Sequence, residues 1–427
     1  MMSQAENAAQ IRWTDRLSRI DTRLSPWHSA LRWGVTVALI HRVLLMAWAA
    51  VVWLTVQPYI PFPPDVNPGE QNLPALEAPL LANTFGVWRR WDATHYLDLA
   101  TSGYRADNPG PTVFGVLTPF SFYVADQIIP GPVDLAAALV ETVAFATALT
   151  LLYRFVESYY GDPALARMTV TVTALIPISY FFAAPMSESL YLASVLLFFY
   201  AALRGRWKWT AVGGVLATLA RSQGAALAGI GAVIVIQRAW QRRESLAANV
   251  WRVAMAGWPL IAIPLGYFFF LAYRQALELP PLGEVYRTES FVFFTDPISG
   301  LYWTLRHLVE HPCLLLTEAD FQAIPLCFGL AALMLRDSRH RRLPMVLYVW
   351  VYLLLFFTKV NWTKDTDIIT SSQSVARYAL ALFPLTVVFS DRVMLRLPPR
   401  SRAWALLGLF TLLLITSARH VLYFAGP

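Results

Sequence analysis

The sequence predicts an all-α integral membrane protein, a multi-helix bundle whose extracytoplasmic loops carry interfacial helices. Three observations lead there. Of 427 residues, 57% are hydrophobic, 14% aromatic and only 14% charged, against roughly 25% charged in soluble domains. Apolar runs of near-spanning length recur from end to end, where a soluble enzyme would show amphipathic periodicity. Basic residues concentrate in alternate connecting loops.

The apolar runs place spans at 34–57, 134–156, 168–184, 189–203, 252–273, 318–335, 344–359, 375–390 and 403–421. Several lie near or below the ~20 residues a crossing needs. Residues 1–33 are polar and Arg-containing, with no apolar stretch followed by a cleavage site. The first span is therefore expected to act as an uncleaved anchor.

Orientation follows the short loops. Basic clusters stand at Arg12/Arg16/Arg19/Arg23/Arg32, at Arg204/Arg206/Lys208, at Arg238/Arg242/Arg243, at Arg336/Arg339/Arg341/Arg342 and at Arg392/Arg396/Arg400/Arg402. The stretch 58–133 holds only Arg89, Arg90 and Arg105 beside seven acidic residues. This alternation predicts a cytoplasmic N-terminus and an external C-terminus. It also accounts for the net charge of +7 without invoking nucleic acid.

The segment 210–236 breaks the pattern, because basic clusters flank both of its ends. The reading favoured is a re-entrant hairpin that turns at Arg221-Ser222-Gln223-Gly224; the alternative is a single crossing. Polar backbone at membrane depth has to be buried in protein or line a wet cavity.

The chain reads as a single polytopic domain, 1–427, with three outer loops. Residues 58–133 begin Pro-rich and become helix-permissive near 87–101, 274–317 hold an amphipathic stretch near 299–310, and 360–374 are polar. Loops of the first two lengths are uncommon unless functional.

Chemistry concentrates in three places. In Arg89-Arg90-Trp91-Asp92-Ala93-Thr94-His95-Tyr96, a helix puts Asp92 on one face with His95 and Tyr96. Aromatic faces there suit a sugar, Arg suits a phosphate, and a carboxylate suits proton removal from a hydroxyl. The same residues also suit an interfacial helix with Trp and Tyr in the aromatic belt. Glu188 at a helix end and Arg221 within an apolar segment are ionisable groups in the membrane, a costly placement that implies function or a fixed partner. Arg377 and Tyr378 open a span after Ser371-Ser372-Gln373-Ser374. A cation at a helix N-terminus opposes the helix dipole unless an anion binds there. Lys359 and Lys364 stand just upstream; like Arg377 they could instead be anchors at the headgroups.

Other chemistries are absent. No phosphate-binding loop, dinucleotide fingerprint or HExxH motif occurs, and the two cysteines, Cys313 and Cys327, form no CxxC pair. The seven histidines read as scattered, without metal-ligand spacing. No nucleotide cofactor and no obligatory metal are expected.

Four blocks carry a family resemblance. Arg90-Trp91-Asp92-Ala-Thr-His-Tyr-Leu-Asp-Leu-Ala-Thr-Ser-Gly-Tyr104 resembles the "RWD…YL.IA..GY" motif of the PIG-V mannosyltransferase family. Pro177 to Tyr191 resembles its "P.sfff.a.ytESly" block, Leu219-Ala-Arg-Ser-Gln-Gly224 its "tRs.G" turn, and Ser374 to Pro384 its "S..RY.l..FP" ending. Where the family has "FFPLyP", this chain has Val113-Phe-Gly-Val-Leu-Thr-Pro-Phe120.

The resemblance implies a GT-C-like bundle that moves a hexose, mannose in the family, from a polyprenyl-phosphate donor to a glycolipid or glycan hydroxyl on the non-cytoplasmic face. It makes Asp92 the catalytic base of an inverting transfer. Arg90, Trp91, His95, Tyr96, Glu188, Arg221, Arg377 and Tyr378 become the expected substrate contacts. The partners implied are the lipid bilayer, the lipid-phosphate donor and the acceptor, in a prokaryotic plasma membrane or, in a eukaryote, the ER. There Asn361-Trp362-Thr363 would be a glycosylation sequon. Two other readings remain: a lipid or sugar transporter, which predicts internal repeats that the sequence lacks, and a non-catalytic membrane subunit on the same fold.

Overall fold

The computed structural model describes residues 4–60, 73–74, 76–241, 245–289, 292–363, 368–372 and 374–422. The fold is all-α apart from one small sheet. The long first helix, α1 (Gln4–Val56), carries the first expected span, and the short α2 (Pro79–Thr84) follows it. The first loop then folds into α3 (Asp92–Ser102) and α4 (Leu117–Asp126). Most of the loop's Pro-rich start lies outside the described residues.

Next come α5 (Val133–Tyr160), α6 (Pro163–Leu175), α7 (Glu188–Leu203), α8 (Trp207–Ala220) and α9 (Leu227–Trp240). They are followed by α10 (Leu246–Gly257), α11 (Ala262–Ala276), α12 (Leu282–Thr288), α13 (Pro297–Glu310) and α14 (Leu314–Thr317). The chain continues through α15 (Ala319–Arg336), α16 (Leu343–Phe356), α17 (Val375–Ala379), α18 (Phe383–Arg392) and α19 (Pro399–Val421). Five helical stretches among the described residues are long and apolar enough to cross a membrane: Trp27–Tyr59, Val133–Tyr160, Leu246–Ala276, Ala319–Arg336 and Pro399–Val421.

Local chemistry sets several of these boundaries. α5 stops at Gly161, which takes the left-handed conformation (φ 68°) that ends helices. The next residue, Asp162, accepts from the Leu165 N–H at 2.9 Å and Pro163 fills the first turn, so α6 starts at once. α13, the amphipathic helix expected near 299–310, is likewise capped by Asp296, which accepts from Ile298 and Ser299 N–H at 3.0 Å.

Two expected spans are interrupted. The run 168–184 is helical only to Leu175, because Pro177 disfavours helix at Ile176; a 3₁₀ turn at Ser179–Phe182 replaces the rest. The run 375–390 breaks between Ala379 and Phe383. Backbone freed in this way needs partners when buried. Arg42 of α1 donates to the carbonyls of Phe182 and Ala183, and the Tyr348 hydroxyl donates to Ala381 O at 2.8 Å.

Segment 210–236 is a hairpin. Arg238 of α9 donates to Leu203 O at 2.5 Å and lies 5.5 Å from the Trp207 ring, so α9 returns to the level from which α8 leaves. The turn between them doubles back tightly on α8. A Cβ on Gly224 would stand 2.4 Å from the Ala217 and Thr218 backbone, so only glycine fits.

The polar third loop contributes two strands to a small sheet. β1 (Val292–Phe294), β2 (Lys359–Thr363) and β3 (Ile368–Ser372) form an antiparallel sheet in that order, with Phe293 opposite Val360 and Trp362 opposite Ile369. The sheet joins the second and third loops.

Candidate active site

The first motif enters α3 through strained backbone. Trp91 has φ 52° and ψ −130°, a conformation that costs a non-glycine residue about 1–3 kcal/mol and collects at functional sites. Its surroundings hold it there. Arg89 forms a two-pronged pair with Asp134 at the start of α5, both contacts 2.7 Å, and donates to Pro74 O at 2.8 Å. Arg90 donates to Val421 O at 3.1 Å and lies 5.1 Å from the Trp53 ring. These two guanidiniums pin the loop to the bundle, and the strained turn then aims Asp92 inward.

Around Asp92 the structure assembles residues from four separated stretches of chain. Arg377 spans two carboxylates, donating from Nη1 to Asp92 Oδ2 and from Nε to Glu188 Oε1. Arg221, at the tip of the α8–α9 hairpin, donates from Nη2 to the same Glu188 oxygen and from Nε to Ser187 Oγ at 2.7 Å. The Tyr96 hydroxyl donates to Ser187 Oγ at 2.9 Å. The Tyr378 ring lies 5.0 Å from the Arg221 guanidinium, and Phe181 packs 5.4 Å from that of Arg377.

These groups adjoin a cavity of about 100 Å³ lined by Asp92, Tyr96, Val113–Gly115, Ala220–Gln223, Tyr286, Lys359, Ser374, Arg377 and Tyr378. Lys359, at the start of β2, donates to Tyr286 OH at 3.0 Å, so the sheet brings a third cation over the cavity. With Asp92 and Glu188 opposite Arg221, Arg377 and Lys359, one positive charge is left in excess. Burial works to push the Asp92 carboxyl up; the guanidinium of Arg377, with His95 and Arg221 beside it, more than offsets this and holds it below its usual value. Asp92 is therefore ionised at neutral pH.

Not every expected contact lies at the cavity. Arg90 points to the end of α19, and the half-buried Trp91 packs on the core. His95 stacks on Phe114 with ring centroids 5.7 Å apart, one layer behind Asp92. Lys364 and Gln373 lie outside the described residues.

The segment 113–120 lies tightly against the end of α8. Val113, Phe114 and Gly115 form one wall of the cavity, and a Cβ on Gly115 would stand 2.3 Å from Leu219 O and 2.7 Å from Ala220 O. No side chain fits between this segment and the end of α8. Gly115→Ala is expected to push Arg221 away from Glu188 and to lower both activity and thermal midpoint; a wild-type midpoint together with full activity would show that the segment can yield.

Several functional neighbours escaped the sequence reading. Ser187, Tyr286 and Gln223 carry no signal of their own. Arg42 and Glu141 do, since both are ionisable groups within apolar runs. Both are buried, and Arg42 supports the 3₁₀ turn that leads to Ser187 and Glu188. The histidines are also less scattered than they read, because His307, Glu310 and His311 come together.

No protein-family model matches the chain, and no curated protein sequence matches it. Among solved structures the chain is similar to the Archaeoglobus fulgidus oligosaccharyltransferase in complex with zinc and sulfate, at 12% identity and a TM-score of 0.42 over 90% of this chain and 53% of that one. It is also similar to the apo form of that enzyme, at 11% identity and a TM-score of 0.43 over 90% of this chain and 56% of that one. The chain thus spans about half the length of those proteins.

Proposed function

We propose that this chain is a GT-C-type glycosyltransferase. It moves a hexose, mannose by its motif resemblance, from a polyprenyl-phosphate donor to a glycolipid or glycan hydroxyl on the non-cytoplasmic face. The reading rests most on one observation: Asp92, Arg221 and Arg377, each from a different motif block, line a single cavity, and Glu188 from the fourth block bridges the two guanidiniums.

In this reading Asp92 takes the proton of the acceptor hydroxyl as that oxygen attacks the anomeric carbon. The bond from that carbon to the phosphate oxygen breaks with inversion, and its electron pair leaves on the phosphate. Charge then grows on the phosphate, where cations already fixed in place stabilise it. Arg377, Arg221 and Lys359 are the cations available.

Arg377 has a double task. It pairs with Asp92, and an arriving phosphate competes for the same guanidinium. Donor binding thereby frees the carboxylate to act as a base. Arg377→Ala is accordingly expected to raise the KM for the donor more than that for the acceptor, measured by varying each in turn; the opposite order would move the phosphate elsewhere. The reading as a whole is tested by incubating purified protein with a panel of labelled lipid-phosphate sugars and analysing products by mass. Transfer of a hexose to a lipid or glycan hydroxyl supports it, and no transfer from any donor in lipid extracts that contain native acceptors overturns it.

A further inference from the structure

We propose that His307, Glu310 and His311 form a binding site for a divalent transition-metal ion of the zinc class, separate from the cavity at Asp92. His307 and Glu310 lie in the last turn of α13 and His311 caps it. The two imidazole rings are 4.8 Å apart, and one ligand atom from each of the three residues lies within 4.8 Å of the others. Zinc–nitrogen bonds of about 2.0–2.1 Å set tetrahedral ligand atoms roughly 3.3 Å apart. Small side-chain rotations therefore close the site, and His311 and Glu310 are exposed and free to make them.

Neutral imidazoles and an ionised carboxylate are the forms in which these side chains bind a metal. The Arg306 guanidinium donates from Nε to Glu310 Oε1 at 2.8 Å. That pair is solvent-exposed and screened, so a dication displaces Arg306 readily. Two imidazoles and one carboxylate favour zinc-like ions over magnesium and calcium, which prefer all-oxygen sites.

The other group of similar composition, Asp337, His340 and Asp391, differs in kind. Its carboxylates are already taken by Arg339 and Arg392, which leaves no charge for an ion.

The site also has a structural setting. Thr304, one turn earlier in α13, is 3.0 Å from the Ser372 hydroxyl at the end of β3, and the His307 ring lies 6.0 Å from Phe321 in α15. An ion held by His307, Glu310 and His311 would fasten the end of α13 where the second loop passes into α15.

The test uses the full-length chain, tag-free and stripped of metal in detergent, titrated with zinc by calorimetry and with cobalt by visible absorption. One ion per chain is expected, unaffected by excess magnesium. Loss of an outer-shell partner alone costs about 10–100-fold in metal affinity, so His307→Ala and His311→Ala should each lose at least tenfold. Circular dichroism verifies that the variants stay folded. No saturable zinc binding by the wild-type chain, or unchanged affinity in both histidine variants, would overturn the site. Neither outcome bears on the glycosyltransferase reading.

Discussion

Asp92→Asn is expected to abolish sugar transfer while leaving the fold intact. The amide keeps the volume of the carboxyl and can still accept from Arg377 Nη1, and Arg377 retains its second partner, Glu188. The variant loses the capacity to take up a proton, together with the negative charge opposite Arg377, whose remaining ion-pair partner is Glu188. General-base catalysis contributes about 10²–10⁴-fold, so kcat should fall by that order with little change in thermal midpoint. Full activity in the folded variant would remove Asp92 from the chemistry.

Glu188→Ala should act on stability first. A single carboxylate oxygen, in a side chain 2% exposed, pairs with two buried guanidiniums, Arg221 and Arg377. Removing one partner from a buried pair leaves an uncompensated charge, at a cost of about 3–5 kcal/mol. Against typical total stabilities of about 5–15 kcal/mol, that loss should show as poor yield and a much lower thermal midpoint in detergent. Glu188→Gln keeps the shape and an acceptor and should lose less. If Glu188→Ala melts with the wild type, the carboxylate is not what holds the arginines apart.

Much of the site could be read in the sequence because a charge within an apolar run has few harmless explanations. That rule pointed to Glu188 and Arg221, and equally applied it would have pointed to Arg42 and Glu141. It fails at Arg90, since a guanidinium near a membrane surface reads alike whether it meets a phosphate or a carbonyl. Only the distant Val421 decides the matter. The interruptions at Pro177 and before Pro384 were spelled by proline, but hydropathy averages across them.

The sheet was harder to foresee. β1 has three residues, and its partner Lys359–Thr363 lies in a separate loop; no alternation that short announces a strand. Lys359 could accordingly be named as a cation near the site, while its route there could not. His307 and His311 stand four residues apart in plain view, and went unread because a search for HExxH passes over any other order.

The Asp92–Arg377 contact joins residues 285 positions apart. At about 5–20 residues per second, a ribosome takes roughly 14–57 s to cover that distance. Throughout the interval the nascent chain carries its acidic half without the guanidinium that completes it. The cluster at Asp92 is thus completed late, and a polypeptide released early has much of the bundle but lacks the guanidinium that joins Asp92 to Glu188.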